Sequence, residues 1–361
     1  MAQLGWIAGS LVMLFFAFIT FVSAFLLCDC YRSPDPESGP KRNRSYIQAV
    51  QTYLGERSGW LCILVVQISL YGTGIAYTIT SATSMRAIQK SNCYHKYGHD
   101  AACEFGDISY MLLFGVVQIV MSQIPDFHNM EWLSIVAAIM SFTYAFIGFA
   151  LGFAKVIGDG VIKGSIGGVP VSTTAQKVWL VSQALGDIAF AYPYSIILIE
   201  IQDTLKSPPP ENETMKKAST IAIFGGYQVY CQPLFAVVDK WFAEKFPTCG
   251  FVNNEYPLKL PLLPALRLNL FRLCFRTVYV ASTTGIAMIF PYFNQVLGVL
   301  GALNFWPLSI YFPVEMYIVQ KNIGAWTKKW VVFRTFSILC LIVTMFTLVG
   351  SFEGLITAKL S

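Results

Sequence analysis

Long apolar blocks alternate with short polar and charged stretches along this chain. Blocks of about 20 apolar residues are long enough to cross the roughly 30 Å core of a bilayer as helices. They are apolar on every face, whereas β-barrel strands are about ten residues long and alternate in polarity. The pattern predicts helical spans at Met1–Leu27, Gly59–Met85, Ile108–Ile124, Trp132–Ala154, Val178–Ile199 and Thr335–Leu355, a weaker segment at Ser219–Val238, and two spans, with a turn near Pro291 and Asn294, in the charge-free stretch Thr277–Val314.

The composition agrees with this pattern. Of the 361 residues, 55% are hydrophobic and only 12% are charged, whereas about a quarter of the residues in soluble domains are charged. We therefore expect an all-α polytopic membrane protein with about nine helical segments, and not a soluble enzyme. The net charge of +5 comes from the loops and suits contact with anionic membrane lipid rather than nucleic acid.

The distribution of Lys and Arg tests whether the weak segment crosses the membrane. Basic residues accumulate on cytoplasmic loops, and the loop after the first span and the stretch 239–276 are the richest in them. If Ser219–Val238 crosses, Lys and Arg number 9 inside and 16 outside; if it does not, they number 18 inside and 7 outside. The charge pattern thus predicts no complete crossing there, which leaves either a re-entrant or interfacial piece or the deletion of one helix from a pair.

Eight short runs carry a family resemblance. The chain resembles the plant amino acid permeases of the amino acid/auxin permease family over nearly its whole length. The runs are Gln3–Trp6 (QLGW), Tyr77–Thr80 (YTIT), Ser122–His128 (SQIPDFH), Ala184–Tyr192 (ALGDIAFAY), Ile199–Lys206 (IEIQDTLK), Tyr227–Pro233 (YQVYCQP), Phe305–Leu308 (FWPL) and Tyr311–Met316 (YFPVEM).

This resemblance implies a leucine-transporter-like fold with eleven helices and inverted repeats, and proton-coupled uptake of amino acids at the plasma membrane. The QLGW motif normally follows a first helix, so Met1 stands where that helix would be ending. Near residues 221–225, the start of the family's seventh helix is joined to the end of its eighth. We therefore expect residues 1–361 to form a single, N-terminally truncated amino acid transporter domain with an internal deletion near 221–225.

The fifth predicted span contains the main candidate for transport chemistry. Gly186 and Asp187, followed by Pro193, are expected to interrupt an otherwise apolar helix, and an ionisable residue inside a span is costly unless it is paired or used. Substrates of such folds bind where broken helices expose backbone groups. We predict that Gly186, Asp187 and Phe190 bind substrate and that Asp187 carries the coupled proton; alternatively, Asp187 lies near an interface and caps a half-helix.

Three further residues are candidates for the substrate pocket. Tyr77 lies in a span with Gly72 and Gly74 and either lines the pocket or packs against another helix, since small residues with an aromatic also mark helix packing. Tyr227 and Gln228 match the pocket wall of the resembling family. Both lie on the weak segment.

Cysteines and histidines cluster in a loop that the charge pattern places outside. Cys93 and Cys103 are candidates for a disulfide. With His95 and His99 they also form a possible zinc set, but the spacing lacks the usual Cys-x-x-Cys pair. We predict no metal and no cofactor.

Two functions remain in competition. The first is a proton-coupled amino acid symporter, with an amino acid, protons and membrane lipid as partners. The second is a transport-inactive shortened form that associates with full-length related transporters. An intramembrane enzyme would need clustered His, Asp or Glu residues within the spans, and only Asp187 and Glu200 approach that arrangement, so no enzymatic activity is predicted.

Overall fold

The computed structural model describes residues 3–98, 100–122, 165–171, 173–192, 194–225, 255–258, 266–289 and 293–360, together with individual helical residues between 136 and 158. The chain divides into two compact units. The first comprises Met1–Ser69, Ile139–Gln228 and Asn294–Ser361, and the second comprises Leu70–Ala138 and Val229–Phe293.

Helices dominate both units. In chain order the elements are α1 (Trp6–Asp29), β1 (Arg32–Ser33), β2 (Lys41–Arg42), α2 (Tyr46–Tyr97), α3 (Ile108–Ser122), α4 (Thr174–Phe190), α5 (Ser195–Asp203), α6 (Glu211–Gly225), β3 (Glu255–Leu258), β4 (Leu266–Asn269), α7 (Leu270–Ile289), α8 (Phe293–Trp306), a π-helical turn (Pro307–Tyr311), α9 (Phe312–Gln320) and α10 (Lys328–Leu360).

Among the described residues, five helical stretches are long and apolar enough to cross a membrane, and one shorter apolar helix accompanies them. The prediction of a polytopic helical membrane protein is confirmed. The predicted inverted repeats stay a prediction. The long stretches are Ile7–Asp29, Tyr46–Tyr97, Thr174–Asp203, Asn294–Gln320 and Lys328–Thr357, and the shorter helix is Ile108–Ser122.

Where they fall on described residues, the predicted spans overlap these helices, but several bounds differ. Helix α2 is much longer than the predicted span Gly59–Met85, and it has one non-helical residue, Gly55, with φ of 82°. The second span predicted in Thr277–Val314 continues to Gln320 through the π-helical turn, and Asn294 lies inside α8 rather than in a turn. The predicted span Trp132–Ala154 lies mostly outside the described residues.

The predicted interruption of the fifth span at Gly186 and Asp187 is wrong in position. Helix α4 continues through both residues to Phe190, and α5 begins at Ser195. The break therefore follows Asp187 by four residues. The sequence explains this position, because Pro193 lacks a backbone N–H and disfavours helical geometry in the residue before it.

The core of the first unit lies where α1 and α4 meet α8 and α9. Its buried side chains include Phe16, Ile188, Phe305 and Val314. Hydrogen bonds add to this packing: the Tyr46 hydroxyl donates to the Leu308 carbonyl oxygen across 2.7 Å, beside the π-helical turn. Helix α10 packs along α4, and its other side exposes apolar side chains suited to lipid, namely Val332, Leu339, Ile342, Met345 and Val349.

The second unit contains the packing of α3 against α7. Strands β3 and β4 pair antiparallel, with Glu255 opposite Asn269. At the start of α3, Arg86 forms an ion pair with Asp107, with 2.8 Å between Nη1 and Oδ2. Part of α2 also belongs to this unit.

Candidate functional site

The break between α4 and α5 lies against a polar stretch of α1. The hydroxyl of Thr20 donates to the carbonyl oxygens of Phe16, at 3.0 Å, and of Tyr192, at 3.3 Å. One turn along α1, the hydroxyls of Ser23 and Ser195 are 3.0 Å apart and fully buried. A helix that ends inside a membrane leaves backbone groups without helical partners, and these hydroxyls satisfy part of that demand.

Aromatic rings line the same break. The ring of Phe16 stacks on Tyr192 with 6.3 Å between centroids and meets Phe305 edge-on at 4.6 Å. Tyr194, which precedes the first residue of α5, makes no side-chain cap to the helix. The break thus combines an apolar aromatic wall with the uncapped N-terminus of a helix, whose partial positive charge favours a carboxylate.

Asp187 lies one turn before the break and is half-buried. Its Oδ1 atom is buried and has no hydrogen-bond partner among the residues that the structure describes. No ion pair to Asp187 is found in that part of the chain either. A carboxylate oxygen left in this way inside a span is costly, and so Asp187 is the strongest candidate here for a group that acquires a partner during function.

Gly186, beside Asp187, lies at a close helix crossing. A Cβ atom on Gly186 would lie 2.5 Å from the Gly298 carbonyl oxygen and 2.9 Å from Ser351 Oγ. A Cβ on Gly301 would lie 2.1 Å from the Gly186 oxygen and 2.7 Å from the amide nitrogen of Phe190. Small residues at such crossings let helix backbones approach closely. The structure therefore gives Gly186 a packing role, and its role in substrate binding stays a prediction.

Helices α4 and α10 are held together by a similar arrangement. Ser182 donates to the Phe346 carbonyl oxygen across 2.6 Å. A Cβ on Gly350 would lie 2.2 Å from Ser182 Oγ, and one on Gly354 would lie 2.7 Å from Gln183 Oε1. The Gly350–Gly354 spacing is that of the small-xxx-small packing motif of membrane helices.

The structure brings together only part of the predicted site. Gly186, Asp187 and Phe190 share α4. Tyr77 lies on α2 in the second unit, and 41% of its surface is exposed. Tyr227 and Gln228 lie outside the described residues. The sequence reasoning missed Thr20, Ser23, Ser195 and Ser351, although a hydroxyl in an otherwise apolar span was an available signal.

Cys93 and Cys103 are joined by a disulfide, with 5.9 Å between their Cα atoms. Both thiols are used in this bond, so they are not free to serve as zinc ligands with His95. Within the described residues, no group of three or more His, Cys, Asp or Glu side chains is placed to hold a metal ion.

A second polar centre ties the end of α1 to the start of α6. Two ion pairs form it: Arg32 donates to both carboxylate oxygens of Glu211, from Nε at 2.9 Å and from Nη2 at 2.7 Å, and Lys216 Nζ lies 2.5 Å from Asp29 Oδ1. Arg42 adds a contact to Glu211 at 3.3 Å. We name these five residues the α1–α6 ionic network.

Burial and hydrogen bonding shape the titration of this region. The hydrogen bond from Arg32 holds the pKa of Glu211 below its ordinary range, because it favours the charged carboxylate. Nearby, the Tyr31 hydroxyl donates to Asp203 across 2.7 Å. Burial, followed by that hydrogen bond, raises the pKa of Tyr31 to about 12. The Glu211 carboxylate is therefore charged at neutral pH.

The network also agrees with the predicted topology. Four predicted spans separate Arg32 from Lys216 along the chain, so the predicted topology places both residues on the same side of the membrane. Their contacts with Glu211 and Asp29 bring these two parts of the chain together. Gln320, at the end of α9, donates to backbone oxygens of Asp29 and Arg32, and so a third element joins them.

Comparison with known proteins identifies the family. The family model described as "Transmembrane amino acid transporter protein" matches residues 1–224 and 218–357. Three similar relatives come from Arabidopsis thaliana. Probable amino acid permease 7 is 52% identical over 412 residues, and the alignment covers 99% of this chain and 88% of the relative. Amino acid permease 3 is 46% identical over 407 residues (98% of this chain, 85% of the relative), and amino acid permease 1 is 42% identical over 410 residues (99% of this chain, 84% of the relative).

No solved structure matches this chain. The two matched stretches of the family model meet at residues 218–224, but the predicted deletion near 221–225 stays a prediction. The relatives are named as permeases, which are transporters rather than enzymes. The chain therefore belongs to the transmembrane amino acid transporter family and, as its resemblance to the plant amino acid permeases predicted, is a multi-pass membrane protein.

Proposed function

We propose that this chain is a secondary active transporter that moves amino acids together with protons across the plasma membrane. Membership of the family supports amino acids as the substrate class, since the similar relatives are named amino acid permeases. The observation that carries the proposal is Asp187, a half-buried carboxylate in an apolar helix with one oxygen unpartnered among the described residues. Carboxylates in such positions serve as proton relays in membrane transporters.

The break between α4 and α5 is the proposed place of the substrate. An amino acid carries a carboxylate and an ammonium group, and broken helices offer separate backbone groups to each. The uncapped start of α5 suits the carboxylate, and Asp187, one turn away, suits the ammonium group or the proton. Gly186 and Phe190 on α4 complete this part of the proposal. The proposed role of Tyr77 rests on its place in a predicted span beside Gly72 and Gly74, and those of Tyr227 and Gln228 rest on the family resemblance.

Uptake of labelled amino acids by cells expressing this chain tests the proposal. Lowering the external pH by one unit raises the proton concentration about tenfold and, for a carrier with a titrating carboxylate, raises uptake. We expect the Asp187→Asn variant to lose this pH response, because its amide cannot bind and release a proton. Asp35→Asn, which changes an exposed loop carboxylate, is the control and keeps the response. A normal pH response in Asp187→Asn would remove Asp187 from proton coupling.

The same assay separates the proposal from its alternative. A transport-inactive chain that associates with full-length transporters would reach the cell surface and yet give no uptake of its own. None of the relatives favours this reading. Surface biotinylation run beside the uptake assay distinguishes a silent protein at the surface from one that is not delivered there.

A further inference from the structure

Two side-chain oxygens from different helices point at one position on α8. A Cβ atom built on Gly298 would lie 2.8 Å from Ser351 Oγ and 3.3 Å from Asp187 Oδ1. A third oxygen, the carbonyl of Gly298, lies 2.5 Å from the position that a Cβ on Gly186 would take. Ser351 Oγ is close to both positions, at 2.8 Å and 2.9 Å, so oxygens from α4, α8 and α10 lie near one helix crossing.

Neither side-chain oxygen has a partner there. Ser351 is fully buried, and both Ser351 Oγ and Asp187 Oδ1 lack a hydrogen bond within the described part of the chain. A buried polar atom without a partner loses its solvation and gains nothing in return. Thr347, a buried hydroxyl one turn earlier on α10, differs, because it donates to the carbonyl oxygen of Val343 across 2.7 Å.

Gly186 and Gly298 leave only a narrow space where α4 and α8 cross. A methyl group on Gly298 or Gly186 would occupy the space between the oxygens. The crossing thus suits a proton on one of the oxygens and excludes an amino acid side chain.

We propose that Ser351 is a positioning residue for the proton-carrying carboxyl group of Asp187. This inference rests on the proposed function. During transport the Ser351 hydroxyl turns to donate to the charged Asp187 carboxylate, a hydrogen bond that this structure does not contain. When a hydronium ion gives its proton to the carboxylate, an O–H bond forms at Asp187 and a water molecule leaves. The hydroxyl, which both donates and accepts, then accepts from the neutral acid.

The surrounding elements bring few charges to this point. Helix α8 contains no Asp, Glu, Lys, Arg or His. On α10 the charged residue nearest to Ser351 in sequence is Glu353, two residues further on. Its carboxylate accepts a hydrogen bond from the Thr357 hydroxyl across 3.0 Å. Helix α1 carries no charge before Asp29.

The pH profile of amino acid uptake tests the inference in the full chain. Removing the hydroxyl in Ser351→Ala takes away a donor to the charged carboxylate. The loss of one charge-assisted hydrogen bond is expected to move the midpoint of the profile about one pH unit higher. Ser351→Cys keeps the size of the side chain with a weaker donor, and we expect a smaller shift in the same direction. Thr347→Ala removes a buried hydroxyl that bonds within its own helix and keeps the wild-type midpoint.

Each outcome decides between the two proposals. A wild-type chain with no pH-dependent uptake refutes the proposed function itself. A pH-dependent wild type with an unchanged midpoint in Ser351→Ala overturns only the role of Ser351, as does a lower rate without a shift, because a merely structural serine would change rate alone. If Ser351→Ala does not reach the cell surface, Ser351→Cys decides: a raised midpoint supports the role, and the wild-type midpoint overturns it.

Discussion

Replacing Glu211 with alanine tests whether the α1–α6 ionic network holds the first unit together. The side chain of Glu211 is 1% exposed and that of Arg32 is 12% exposed, so this is a buried pair rather than a surface one. Glu211→Ala leaves the Arg32 guanidinium with a single remaining acceptor among the described residues, the Gly39 carbonyl oxygen at 3.0 Å. The variant therefore buries a charge without its counter-charge.

The size of the effect follows from this geometry. Removing one partner of a buried ion pair costs about 3–5 kcal/mol, and the bond from Arg32 to Gly39 places the expected cost near the lower end, about 3 kcal/mol. Arg42 adds little, since its side chain is 45% exposed and such pairs are weak. At about 2 °C per kcal/mol for a chain of this size, the melting temperature should fall by about 6 °C.

Thermal unfolding in detergent, followed with a thiol-reactive dye, measures this change. The dye reports unfolding because Cys28, Cys30, Cys62 and Cys340 are buried. Glu213→Ala is the matched control: Glu213 lies in the same first turn of α6 but is exposed, and exposed substitutions change stability by about 0.5 kcal/mol or less. Replacing Arg32 and Glu211 together by apolar residues should recover part of the loss.

The pH dependence gives an independent check. The pKa of Glu211 is lowered in the folded protein by its hydrogen bond from Arg32. Its contribution is therefore complete above the ordinary pKa of 4.5 and is lost as the pH falls through the lowered value. The difference between the wild type and Glu211→Ala should shrink below that point. Equal melting temperatures for Glu211→Ala and Glu213→Ala at neutral pH would refute the reasoning.

Two further changes test other contacts. Gly301→Ala places a methyl group 2.1 Å from the Gly186 carbonyl oxygen, so α4 and α8 must separate at a cost of about 1–3 kcal/mol. Size-exclusion chromatography after heating should show less folded protein for this variant than for Gly285→Ala, which adds a methyl group at an open position. Equal losses of folded protein in the two variants would contradict the close crossing. An impermeant reductant added to intact cells should raise labelling by an impermeant maleimide above that of the Cys93→Ser, Cys103→Ser variant, in which other cysteines such as the exposed Cys274 set the background. Labelling of the wild type above that background before reduction would contradict the disulfide.

Much of the architecture could be predicted from hydrophobicity, but not the ends of the helices. The apolar run Gly59–Met85 marks the part of α2 that suits a bilayer, whereas the helix extends from Tyr46 to Tyr97. Hydrophobicity does not show where such a helix ends, because polar residues can either extend the helix into water or begin a loop. The turn between α7 and α8 was predicted near Pro291 because proline limits helices, and α7 indeed ends at Ile289.

The candidate site shows a different limit. The sequence predicts a break at Gly186 and Asp187, yet Gly186 lies in a continuous helix where close packing requires the absence of a Cβ atom. One sequence cannot distinguish these two uses of glycine. Asp187 was identified from the cost of a charge in a span, but Ser351 is 164 residues away, and only the packing of α4 against α10 brings them to the same point.

Simultaneous measurement of proton and amino acid flux tests the central claim most directly. The purified chain is reconstituted into liposomes that contain a pH-sensitive dye, and a labelled amino acid is added outside without an imposed pH gradient. The account predicts that the lumen acidifies as the amino acid enters, and that Asp187→Asn abolishes the acidification. Entry of the amino acid with no change in the pH of the lumen would contradict it.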